Sequence, residues 1–198
     1  MTGSRPGAAV FLDRDGTLIR DVGYLRRVDE VEVLPKVPAA LRLLRELGFK
    51  LVLVTNQSAV ARGWLTEEDL GAIHGALAAK LANGGARLDA VYYCPHHPVE
   101  GNGIYRVSCS CRKPGVGMIA RASADLGLNP AVSYVVGDQK VDIELAERIG
   151  ATALLIRGEA ASPGEDDRGV SVVADLWQAA HWILDHCKRM KRGEELQS

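Results

Sequence analysis

The 198-residue sequence predicts an α/β fold, a three-layer sandwich in which a central parallel sheet lies between two layers of helix. Three observations lead there. Short apolar runs recur at 8–12 (AAVFL), 50–54 (KLVLV), 90–93 (AVYY), 132–136 (VSYVV) and 152–156 (TALLI), each of strand length. Stretches with helical spacing of apolar residues lie between them. Strand and helix therefore alternate, the order expected of a parallel sheet covered on both faces.

The elements follow in turn. After the first strand, residues 16–37 form a connection long enough for a small hairpin. Pro38 suits a helical first turn; Leu41, Leu44 and Leu47 share one face, and Gly48 stops the helix. Thr66 before Glu67, Glu68 and Asp69 is a helix start, followed by a stripe of Leu70, Ile73, Leu77 and Leu81. Residues 115–126 place Met118, Ile119, Ala122 and Leu126 on one face. Residues 139–149 do so with Val141, Leu145 and Ile149, ending at Gly150. Residues 158–169 read as a surface loop. Residues 170–187 pack back on the domain through Val172, Val173, Leu176, Trp177, Ile183 and Leu184, and the charged end CKRMKRGEELQS is expected to fray.

Composition narrows the function. A hydrophobic share of 47% supplies a core for one domain over residues 1–198, with an ordered loop at 94–114 and a helix and tail at 170–198. With 24 Lys and Arg against 25 Asp and Glu, the formal net charge of -1 argues against a nucleic-acid surface, which needs a basic field. No run is long and apolar enough for a bilayer span. The N-terminus lacks a signal-peptide pattern, so a cytoplasmic location is expected. No repeated apolar stripe demands assembly, so the expected state is a monomer.

The candidate chemistry sits at strand ends. VFLDRDGTL puts Asp13 and Asp15 directly after a buried strand, where open parallel sheets bind ligands. Two close carboxylates need a shared cation or a proton. One can attack phosphorus while the other carries a proton for the leaving oxygen. A polar helix cap or a calcium-like loop is the plainer alternative for DRDG. The second strand ends in TNQS, where Thr55, with Asn56 beside it, is a candidate phosphate ligand or simply a cap. GDQKVD puts Asp138 at the same edge, as a direct magnesium ligand, with Asp142 one turn later in support. In CRKPG, Lys113 can neutralise a phosphate oxygen and Arg112 can clamp a second anionic group; each read alone is a surface cation.

Four Cys do not make a disulfide scaffold in this chain. Cys94, His96, Cys109 and Cys111 instead supply three thiolates and an imidazole, the set favoured by a structural zinc ion. His97 is an alternative ligand or a substrate-facing group, and unmetallated thiols are the plainer reading. Cys187 stands apart as a helix-face thiol.

On these motifs the sequence resembles the haloacid dehalogenase superfamily over residues 8–157, and within it the zinc-containing D,D-heptose 1,7-bisphosphate and histidinol-phosphate phosphatase group. The resemblance implies a Rossmann-like sandwich without a large cap domain. It implies Asp13 as nucleophile, Asp15 as acid and base, Thr55 and Lys113 at the phosphate, and a Mg2+ ion held by Asp13, Asp138 and the backbone carbonyl of Asp15. GYLRRVDEVEVLP, VTNQSAVARGWLT and YYCPHHP look like the heptose branch, with Arg112 near the substrate and the Arg62–Gly63 region at the rim. That branch removes the 7-phosphate of D-glycero-D-manno-heptose 1,7-bisphosphate, in making precursors of cell-surface glycans such as lipopolysaccharide. Gln139 departs from the branch, which often has lysine there; here Lys140 comes next. The alternatives are histidinol phosphate, a broader set of sugar phosphates, or a non-catalytic zinc-stabilised binding module. A polynucleotide end phosphatase shares the chemistry but not the charge balance.

Overall fold

The computed structural model describes residues 6–158, 164–166 and 169–195. The five apolar runs are strands: β1 (Ala9–Leu12), β2 (Lys50–Asn56), β3 (Ala90–Cys94), β4 (Tyr134–Gly137) and β5 (Thr152–Ile156). Two more, β6 (Gly164–Glu165) and β7 (Ser171–Val173), complete a sheet in the order β3-β2-β1-β4-β5-β7-β6. All pairings are parallel except β6 with β7. The segment 158–169 was expected to be loop throughout. Gly164 and Glu165 instead pair with Val172 and Ser171, while 159–163 and 167–168 lie outside the described residues.

The helices are α1 (Val37–Glu46), α2 (Glu67–Asn83), α3 (Gly117–Leu126), α4 (Lys140–Ile149) and α5 (Leu176–Glu195). Alternation along the strands divides the core in two. Val10, Leu12, Leu51 and Leu53 face a layer that includes Leu41 and Leu44 of α1, Ile73 of α2 and Ile183 of α5. Ala9, Phe11, Val52 and Val54 face Met118 and Ile119 of α3 and Leu145 of α4. Each large side chain removed from water stabilises the fold by about 2 kcal/mol.

Local signals place the helix ends. Thr66 Oγ1 accepts from the Asp69 N–H at 3.0 Å, and Asp69 Oδ2 accepts from the Thr66 N–H at 2.8 Å, a reciprocal cap for α2. Gly150 ends α4 in the left-handed region at φ 70°. The charged C-terminal segment, expected to fray, is helical as far as it is described. α5 runs through Glu195, with its apolar seam extended to buried Cys187; residues 196–198 lie outside the described set.

Two long connections rise above the carboxyl ends of the strands. Residues 13–36 hold the expected antiparallel pairing, with Arg20 N–H to Glu32 C=O at 2.9 Å and Leu34 N–H to Leu18 C=O at 3.0 Å, around a single 3-10 turn at Val28–Glu30. Residues 95–116 carry another such turn at Gly103–Tyr105. Neither holds a longer helix or a sheet of its own. Among the described residues, no helix is long and apolar enough to cross a membrane.

Candidate active site and metal centre

β1 lies centrally, with β2 on one side and β4 on the other. The chain leaves it for β2 and returns past it to β4, so the crevice beyond β1 and β4 is where this topology opens a ligand site. Asp13 follows β1 directly, and its N–H continues the ladder to the Val136 carbonyl at 3.0 Å. Asp138 follows β4, and Asp142 lies in the first turn of α4. One carboxylate oxygen from each of Asp13, Asp138 and Asp142 lies within 4.8 Å of the others.

Among the described residues, one cation answers them at contact distance. Lys113 is buried, and its Nζ lies 2.9 Å from Asp13 Oδ1 and 2.6 Å from Asp142 Oδ1. Burial works against the ammonium charge, yet the Asp13 and Asp142 carboxylates outweigh it and hold the Lys113 pKa above its ordinary value. Asp138 is left over. Burial, with repulsion from Asp13 and Asp142, pushes its pKa up to about 7, and its Oδ1 is buried without a hydrogen-bond partner. An orphaned buried carboxylate oxygen beside two others is the donor set of a hard divalent cation.

Close approach at this edge requires two glycines. At Gly16 (φ 70°) and Gly137, a Cβ would collide with the Asp138 and Asp142 carboxylates respectively. Asp142 Oδ2 also accepts from the Gln139 N–H at 3.1 Å, so one side chain caps α4 and anchors Lys113.

The other expected residues sort themselves around this centre. Thr55 is buried at the end of β2, and its Oγ1 accepts from Gln57 Nε2 at 2.9 Å. Asn56 spends its amide on Lys113: Oδ1 accepts from the Lys113 N–H at 2.9 Å, and Nδ2 donates to the Lys113 carbonyl at 3.2 Å. Its side chain thereby fixes the backbone that presents the lysine. Arg112 is half-buried and donates from Nη1 to the His96 carbonyl at 3.1 Å. Asp15 is held by Arg14 and Gln57, two residues that motif reading passed over. Its pKa is raised by burial, with Arg14 opposing. A large cation between two aspartates was a visible signal; its burial was not.

The second cluster matches the expected Cys and His set. Cys94, His96, Cys109 and Cys111 each bring one ligand atom within 4.8 Å of the rest. Neighbouring contacts run from 3.1 Å, between the Cys109 and Cys111 sulfurs, to 3.7 Å, between Cys94 Sγ and His96 Nδ1. A tetrahedron with metal–sulfur arms near 2.3 Å has edges of about 3.8 Å, a little longer than these contacts. All three cysteines are free thiols. His97 is not in the cluster: its Nδ1 accepts from the N–H groups of Val99 at 3.3 Å and Glu100 at 2.8 Å. Cys187 also lies apart, buried on α5 near the Tyr134 hydroxyl.

Comparison with known proteins agrees with this geometry. Residues 110–179 match the family model described as HAD-hydrolase-like. A D-glycero-beta-D-manno-heptose-1,7-bisphosphate 7-phosphatase of Haemophilus ducreyi is 43% identical over 167 residues, covering 83% of this chain and 91% of that protein. Its counterpart from Yersinia pestis is 42% identical over 187 residues, covering 93% of each. Among solved structures, the D,D-heptose 1,7-bisphosphate phosphatase from B. bronchiseptica, complexed with magnesium and phosphate, superposes with a TM-score of 0.75 at 30% identity, covering 90% of this chain and 99% of that one. The aspartates at the β1 and β4 ends, the buried lysine between them and this level of identity together place the chain in the haloacid dehalogenase superfamily of phosphatases, as a member of the D,D-heptose 1,7-bisphosphate phosphatase family.

Proposed function

We propose that this protein hydrolyses the 7-phosphate of D-glycero-D-manno-heptose 1,7-bisphosphate through an aspartyl-phosphate intermediate on Asp13. The observation that carries the reading is the carboxylate–lysine cluster at the β1/β4 crevice, in a chain 42% and 43% identical to proteins named for that reaction. Asp13 is the nucleophile. As its oxygen bonds to phosphorus, the bond from phosphorus to the sugar oxygen breaks, and Asp15 gives that oxygen a proton. Water then attacks the phosphorus, Asp15 takes the water's proton, and Asp13 is freed with release of phosphate. Lys113, held by Asn56 and Asp142, and the Thr55 hydroxyl face the phosphoryl oxygens and stabilise their charge.

A Mg2+ ion would be held by Asp13, Asp138 and the backbone carbonyl of Asp15. It would supply positive charge to the phosphoryl group, and the orphaned oxygen of Asp138 fits that role. Arg112, on the Cys/His loop, is the residue we assign to the second phosphate of the substrate. Its planar fork suits a dianion better than a lysine would.

The Cys94, His96, Cys109 and Cys111 cluster fits a structural zinc ion, since four protein ligands leave no position for substrate. Such an ion would join β3 to the segment that carries Arg112 and Lys113, and so hold the lysine in register with Asp13. Metal analysis of the purified protein is expected to find about one zinc per chain. A folded, active preparation without zinc would refute this assignment.

Substrate choice is tested by phosphate release in magnesium. The heptose bisphosphate is expected to exceed L-histidinol phosphate in kcat/KM by about a hundredfold, equivalent to about 2.7 kcal/mol. The two anomers are to be assayed separately. The β form is expected to lead, as in the names of the H. ducreyi and Y. pestis relatives. Preference for histidinol phosphate would move the protein to the other branch. No phosphate release from any ester would favour a binding module.

A further inference from the structure

Arg14 is the bulkiest of the fully buried side chains, and nothing assigned so far explains it. Its guanidinium donates from Nε and Nη2 to Asp15 Oδ1 at 3.2 and 3.0 Å, and from Nη2 to Asp15 Oδ2 at 3.0 Å. Nη2 also donates to Gln57 Oε1 at 2.8 Å. Gln57 turns its other end to the same carboxylate, with Nε2 2.9 Å from Asp15 Oδ2 and 2.9 Å from Thr55 Oγ1. Behind Arg14, His74 on α2 brings Nε2 within 3.4 Å of Nη1. Burial, together with the Arg14 charge, lowers the His74 pKa to about 4, so at neutral pH its imidazole accepts from the guanidinium.

Each Asp15 oxygen thus receives two contacts, all from groups that can only donate. A carboxylic acid would point its own O–H at one of those donors. The arrangement is therefore that of ionised Asp15. The reaction needs both forms, protonated before the sugar leaves and ionised after.

We propose that Arg14 and Gln57 form a clamp that positions the acid–base carboxylate, fixing the orientation of Asp15 through donors on both of its oxygens. Neither clamp residue donates or accepts the transferred proton: a guanidinium does not titrate in the working range, and an amide has no proton to spare. They are positioning residues, and the inference rests on the phosphatase reading above. Through the shared Gln57 amide, the clamp also ties the orientation of Asp15 to that of Thr55.

The test compares Arg14→Met and Gln57→Met with the unaltered protein on two esters. The heptose bisphosphate releases an alkoxide that needs a proton; 4-nitrophenyl phosphate releases a phenolate that does not. For a covalent intermediate, kcat/KM reports only the steps through leaving-group departure, so it isolates Asp15 as acid. Arg14→Met is expected to lower kcat/KM about a hundredfold for the sugar ester and less than about fivefold for the aryl ester. Gln57→Met keeps the buried Arg14–Asp15 pair, and should show the same split at smaller amplitude even if Arg14→Met does not fold. Equal losses on both esters would reduce the network to structural support and overturn the clamp. Hydrolysis of the aryl ester by the unaltered protein, and its loss in Asp13→Asn, tests the phosphatase reading separately. An unaltered protein inert to both esters overturns the two together.

Discussion

Asp13→Asn is expected to leave a folded protein whose phosphate release falls at least about ten-thousandfold. An amide oxygen is a poor nucleophile towards phosphorus and cannot form the acyl phosphate. The side chain is nearly isosteric, and its polar partners survive the change. Oδ1 now accepts from the Arg14 N–H at 2.8 Å and from Lys113 Nζ at 2.9 Å, and the Asn Oδ1 can do both. The substitution also removes one of three clustered carboxylates, of which Lys113 pairs with two. Thermal unfolding without added magnesium should therefore occur at the same temperature as in the unaltered protein, or above it. Loss of turnover with retained or raised stability separates a nucleophile from a structural aspartate, whose removal lowers both. Full magnesium-dependent activity in the variant would end the aspartyl-phosphate mechanism.

The chemistry of this site was legible where it depends on position along a strand, and hidden where it depends on what a side chain meets. Asp13, Thr55 and Asp138 stand where apolar runs stop, and the topology carries those stops to one edge. The role of Asn56 is different. Its two bonds to the Lys113 backbone span 57 residues of sequence, and no local pattern announces such a pair. Gln57 and His74 are of the same kind, since their meaning comes from a guanidinium arriving from another element. The choice between His96 and His97 turned on one nitrogen, already committed at His97 to the N–H groups of Val99 and Glu100. β7 has three residues and β6 two, too short for an apolar run to stand out. The α5 extension has a physical cause in its seam: Ile183 and Cys187, four residues apart, stay buried while Lys188 pairs outward with Asp185 at 3.1 Å.

Lys113→Met is expected to lower stability and rate together. Methionine keeps the length of the lysine stem and loses the charge that Asp13 and Asp142 share. Removing one member of a buried ion cluster leaves its partners uncompensated, at a cost of about 3 kcal/mol. Activity should fall by about a thousandfold, as for loss of one preorganised cation at a developing charge. The stability deficit should also depend on pH. A carboxylate whose pKa is raised by folding binds protons more tightly in the folded state, so stability falls as pH rises between its unfolded and folded values. Asp138 has such a window, from 3.8 to about 7, but its causes are burial and the neighbouring carboxylates, so it is common to the variant and the unaltered protein. The deficit takes its pH dependence from Asp142, whose pKa is raised by burial and lowered in part by Lys113, and which rises further once the lysine is gone. Denaturant titrations without added magnesium should thus find a deficit that grows as pH rises above the ordinary carboxylate range and shrinks as pH falls. Adding Asp142→Asn to Lys113→Met removes the most buried of the unpaired charges while keeping an acceptor for the Gln139 N–H. The double variant should recover most of the lost stability and none of the lost activity. Recovery of both would make the lysine a balance for Asp142 alone. Recovery of neither would mean that the stem of Lys113, rather than its charge, is what the fold requires.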